Sequence, residues 1–119
     1  MDTNETLAQK ALRLLNEVPS DEFITGDYTD KVGKCCAIGH LERLTKDPSD
    51  YSNKNCYDNT TTFGYAVRTA STKFIKEKHN TDYACIAEVN NKPRLNGYTE
   101  PVIKDRVIHL LKDMVAEGY

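Results

Sequence analysis

No apolar run in this 119-residue sequence approaches the roughly 18–20 residues that a helix needs to span a bilayer. Basic blocks and acidic tails are also missing. With 16 Lys and Arg against 18 Asp and Glu mixed along the chain, the net charge is −2, which argues against an electrostatic nucleic-acid binder. There is no G-x-G-x-x-G and no Walker sequence, so the glycine patterns that cradle phosphates are absent. No C-x-x-C pair occurs, and adjacent Cys35 and Cys36 do not suit one zinc, whose paired ligands usually stand about two to four residues apart. Met1–Glu5 lacks the basic and apolar regions of a signal peptide, which leads to the expectation of a cytoplasmic protein, of a cell or of something that infects one. The four cysteines, Cys35, Cys36, Cys56 and Cys85, are then expected as reduced thiols. Trp is absent, Tyr numbers seven, and no internal repeat or low-complexity segment interrupts the chain.

What remains is an ordinary globular composition of a size that suits one domain over 1–119, long enough to bury one modest core without staples. Leu7, Ala11, Leu14, Leu15 and Val18 recur at helical spacing and predict a helix over 5–18, capped by Thr3 or Asn4 and stopped by Pro19. Residues 19–34 read as a loop, with Phe23-Ile24 either a brief strand or an apolar anchor in the core. Ile38, Leu41 and Leu44 share one face of a helix over 35–45, ended before Pro48; Gly39 within it suggests a close packing contact. Residues 47–61 read as a polar loop. Phe63, Val67, Ala70 and Phe74 then mark a helix over 62–78, capped by Thr60, Thr61 or Thr62 and ended at His79-Asn80. Residues 82–89 fit a short strand or a helix of one or two turns equally well. After a loop over 90–98, a last helix spans 100–117, with Thr99 as cap, Pro101 in its first turn and Gly118 at its end. The expected fold is mostly α: a small single-domain bundle of about four helices with long polar loops, and at most one short strand pair.

Gly33–Leu41 is the most chemically loaded stretch, holding Cys35, Cys36 and His40 where a loop turns into a helix. A thiolate at a helix N-terminus is stabilised by unpaired N–H groups and the macrodipole. His40 follows Cys36 by one helical turn on the same face, so a Cys36–His40 nucleophile and base is geometrically open. His79 or His109 are distant alternatives, with Asn90 or Asn91 to orient the ring. Against this stands the usual behaviour of a free cysteine as a small buried hydrophobe, which the residues favour. A metal site from Cys36, His40 and Cys85 or His79 would lack a second spaced pair, and neither metal nor cofactor is expected. The loops offer another set of candidates. Tyr28, Tyr51, Tyr57 and Tyr98 are amphipathic anchors of the kind enriched at interfaces, and Asn90 and Asn91 join them as binding candidates; ordinary loop composition is the plain alternative.

Cys36-Ala37-Ile38-Gly39-His40-Leu41 resembles a Cys-Ala-x-Gly-Ala-Leu signature, and Ile86-Ala87-Glu88-Val89-Asn90-Asn91 resembles an Ile-Ala-x-Trp-Asn-Asp element before a terminal helix. Both look like a family of small uncharacterised bacterial and phage proteins of about this length. The chain departs from that pattern at His40, Val89 and Asn91. The resemblance implies the same helical order and a bacterial or phage source, and it brings no mechanism. The expectation is therefore a small non-enzymatic binding or accessory protein, phage-encoded, acting through polar loops on a protein or small polar ligand. A thiol-dependent hydrolase or transferase using Cys36 with a histidine base is the alternative.

Overall fold

The computed structural model describes residues 5–25, 36–45, 63–95 and 97–119. Helix α1 spans Leu7–Asn16, a 3-10 turn follows at Ser20–Glu22, and then come α2 (Ala37–Thr45), α3 (Phe63–His79), α4 (Ile86–Asn91) and α5 (Ile103–Ala116). The fold is a small helical bundle. Among the described residues there is no sheet; Leu95 and Tyr98 form an isolated antiparallel bridge, and Phe23 is also a bridge residue. Helix α1 packs on α5, α2 and α3, while α4 is wedged among α2, α3 and α5.

Helix α1 begins later than its apolar spacing predicts. Thr6 is its cap, with Thr6 Oγ1 accepting from Gln9 N at 3.2 Å and the Gln9 side chain accepting from Thr6 N at 2.8 Å. This capping box needs Thr and Gln three positions apart, a pairing that only Thr6 completes, and such caps contribute about 1 kcal/mol. The buried stripe is Ala8, Ala11 and Leu15, with Val18 buried beyond the helix end and Leu7 turned partly to solvent. Phe23 enters the core as an apolar anchor. On α2, Ile38 and Leu41 are buried, but Leu44 is 39% exposed and does not continue the predicted face.

Residues 86–91 resolve as helix. Ile86 and Val89, one turn apart, are both buried, and Glu88 between them is exposed. Helix α5 starts at Ile103, not at residue 100, and its N-cap is Val102 instead of Thr99. The cause is Arg106. Its Nη1 donates to the carbonyls of Glu100 and Pro101 at 2.9 and 3.1 Å, so these carbonyls do not start an α-helical ladder. Its Nε and Nη2 donate to Val89 and Asn90 O at 2.5 and 2.7 Å, closing the C-terminal end of α4. Burial lowers the pKa of this guanidinium from its ordinary value, with the Glu100 charge acting in the opposite sense. The end of α5 follows expectation: Gly118 takes φ +86°, the left-handed cap geometry that glycine adopts at least cost, and Tyr119 N donates to Met114 O at 2.9 Å.

The starts of α2, α3 and α4 are each capped from another helix. Buried Asn90 of α4 accepts from Ala37 N at 2.9 Å. Buried Glu42 of α2 accepts from Gly64 N at 2.6 Å, placing its carboxylate at the positive end of α3. Buried Ser71 of α3 accepts from Ile86 N at 2.8 Å. Gly64 leaves room for this arrangement: a Cβ there would meet the Glu42 carboxylate, which would have to move.

Candidate functional site

Cys36 lies half-buried where α2 begins, and its Sγ accepts from Gly39 N at 3.4 Å. His40 is fully buried, its ring 4.9 Å from that of Phe23. Its Nε2 contacts Glu22 O at 2.7 Å and its Nδ1 contacts Arg43 Nη2 at 2.9 Å. A carbonyl only accepts and a guanidinium only donates, so Nε2 carries the proton and Nδ1 supplies the lone pair. Burial is the main cause that pushes the His40 pKa down; the Glu22 carbonyl opposes it and the Arg43 charge adds to it. This is a neutral imidazole with both nitrogens engaged. The one-turn spacing joins Cys36 and His40 through the main chain, His40 N to Cys36 O at 3.0 Å, and leaves no ring nitrogen for the thiol. His40 thus forms a joint between the 3-10 turn and α2.

Asn90 belongs to the same joint. It is fully buried, and besides its bond to Ala37 N it donates from Nδ2 to Ile24 O at 2.9 Å and to Asn91 Oδ1 at 3.0 Å. Its amide ties together α4, α2 and the segment after the 3-10 turn, and both amide protons are used there. It is therefore not available to a surface ligand, nor does it orient a catalytic ring. Asn91 beside it is half-buried.

Tyr98, expected as an amphipathic binding anchor, is 1% exposed. Its hydroxyl donates to Asp113 Oδ2 at 2.8 Å and accepts from His79 Nε2 at 3.0 Å. The rings of His79 and His109 stand edge-on to it at 5.3 and 4.9 Å. Burial first, then the hydrogen bond to Asp113, raise the phenol pKa far above its ordinary value of 10. The His109 Nδ1 pairs with Glu100 Oε2 at 2.8 Å, on the wall of a groove of about 600 Å³ between the α1 end and α5. The histidines distant from Cys36 in sequence therefore serve Tyr98 and not a thiol.

Tyr28, Tyr51 and Tyr57, with Cys35 and Cys56, lie outside the described residues. Among the described residues, no group of three or more His, Cys, Asp or Glu side chains is placed to hold a metal ion. Nor, among the described residues, is any helix long and apolar enough to cross a membrane.

Among the described residues the most exposed aromatic is Tyr83, which its place in the sequence does not single out. Tyr83 is 96% exposed and takes φ +65°, in the turn between α3 and α4. It stands over a groove of about 440 Å³ lined by Thr81, Ala84, Glu88, Lys92, Arg94 and Leu95. In the sequence Tyr83 falls in an alternating run, which conceals it among strand or helix positions. The available signal was Asn80-Thr81-Asp82, turn-forming residues directly before it. No protein-family model, curated protein or solved structure matches this chain, so its candidate sites rest on their own geometry.

Proposed function

We propose that this chain is a small non-enzymatic binding protein, phage-encoded and cytoplasmic, that engages a protein partner through Tyr83 and the groove beneath it. Tyr83 carries the reading. A non-glycine residue in the left-handed region costs about 1–2 kcal/mol. No hydrogen bond or ring contact within the described residues offsets that cost, since the ring stands in solvent. Strain held in place beside an exposed aromatic marks a functional position, and tyrosine is among the residues that dominate binding energy at interfaces. The resemblance of the Cys36–Leu41 and Ile86–Asn91 segments to small bacterial and phage proteins supports the source. The buried thiol of Cys85 fits a reducing compartment. A thiol-dependent hydrolase or transferase finds no support, because His40 has no nitrogen to offer Cys36.

The test is affinity capture from a lysate of the source cells with the wild-type chain and with Tyr83→Gly. Glycine accepts the same backbone conformation and removes only the ring. The expected result is a partner retained by wild type and weakened about 30-fold or more by the variant, the loss typical of an interface hot spot. Equal capture by both, or turnover of a substrate with no partner, overturns the proposal.

A further inference from the structure

We infer that the segment docking on Tyr83 is acidic: a peptide stretch of the partner that sets carboxylates against Lys92 and Arg94 beside an apolar side chain. The inference rests on the Tyr83 reading and names the chemistry of its partner. The charges of the groove carry it. Asp82 pairs with Lys76. Lys92 and Arg94 are both exposed, and neither side chain has a hydrogen bond or ion pair among the described residues. Glu88 is the remaining unpaired acid of the groove, so the cations are in excess. Elsewhere this molecule engages its buried cation fully: Arg106 makes hydrogen bonds to four carbonyls. Arg94 keeps a planar donor fork free, and that fork matches a carboxylate in two parallel bonds. Half-buried Leu95 and the Tyr83 ring provide the apolar contact between these charges. Exposed ion pairs contribute little affinity, so the ring holds the peptide and the cations select it and speed its arrival.

The experiment pans a random peptide library displayed on phage against the full chain, with counter-selection on Tyr83→Gly. The expected peptides are enriched in Asp and Glu next to a large apolar residue. Their synthetic forms bind more weakly as salt rises, lose on the order of tenfold in affinity to the Lys92→Glu/Arg94→Glu variant, and gain affinity with Glu88→Gln. An unchanged thermal midpoint shows that these exposed substitutions leave the fold intact. Peptides that depend on Tyr83 but show no acidic enrichment, or that ignore the charge reversal, overturn the acidic partner and leave the Tyr83 reading standing. Acidic peptides that bind Tyr83→Gly as well as wild type overturn the Tyr83 reading instead. Failure to select any Tyr83-dependent peptide also overturns that reading.

Discussion

Asn90 and Tyr83 bracket the short helix α4, and they are opposites. Asn90 sits in its last turn, fully buried, with its amide protons and carbonyl oxygen bound to two other segments and to its neighbour Asn91. Tyr83 stands ahead of its first turn, almost wholly in solvent, on a strained backbone with nothing to offset the strain. Polarity and chemical reactivity are therefore poor guides to function in this chain. Its buried polar side chains, Glu42, Ser71, His40, Asn90 and Arg106, are consumed in closing helix ends and turns. A side chain that the fold places at a cost and then leaves unused is the better marker.

The comparison breaks most visibly at Asn90. Asn90→Ala leaves Ala37 N and Ile24 O without their partner at the centre of the joint, and each such buried group costs about 1–3 kcal/mol. We expect a loss of about 3 kcal/mol by urea denaturation; a loss below about 1 kcal/mol would show that the joint is replaceable. Gly64→Ala probes how tightly the interior is set. The added methyl meets the Glu42 carboxylate, and a destabilisation of about 2 kcal/mol is expected, largely relieved in the Glu42→Ala/Gly64→Ala double variant as a mutant cycle would record.

His40 gives a smaller, pH-dependent effect. Burial holds its folded pKa below 6.5, so on acidification the unfolded chain takes up a proton that the folded chain refuses. Its contribution is therefore present above pH 6.5 and is lost as pH falls through the folded pKa. The urea midpoint of the wild type should drop between about pH 7 and about pH 5 more steeply than that of His40→Gln; parallel profiles would remove His40 from the account. Tyr83→Gly is the least disruptive to the fold. Relief of the left-handed strain and the greater freedom of unfolded glycine nearly cancel, leaving stability within about 1 kcal/mol of wild type. A large loss of stability there would mean that the ring serves the fold, and the contrast with Asn90 would collapse.

Periodicity made α1, α3 and α5 legible, because each buries one stripe of apolar residues. Boundaries were less so. The start of α5 depends on where the Arg106 guanidinium reaches, and spacing does not encode that reach. Helix α4 is too short for its period to exclude a strand, and the bond from Ile86 N to Ser71 that helps fix its start comes from a distant helix. Cys36, His40 and Asn90 are legible as notable residues, but not what holds them. Spacing along α2 predicts who can meet whom within one helix, whereas His40 is held partly from outside it, by Glu22 O. The sign of φ at Tyr83 has no sequence signature at all.

The cross-helix caps also close on themselves: α2 caps α3 through Glu42, α3 caps α4 through Ser71, and α4 caps α2 through Asn90. Each of these three helix starts gains a bond only when its neighbour is in place. The consequence is cooperativity written in amide exchange. Ala37, Gly64 and Ile86, far apart in sequence, should exchange their amide protons with one shared free energy of opening, and that energy should fall together when any one link of the ring is cut.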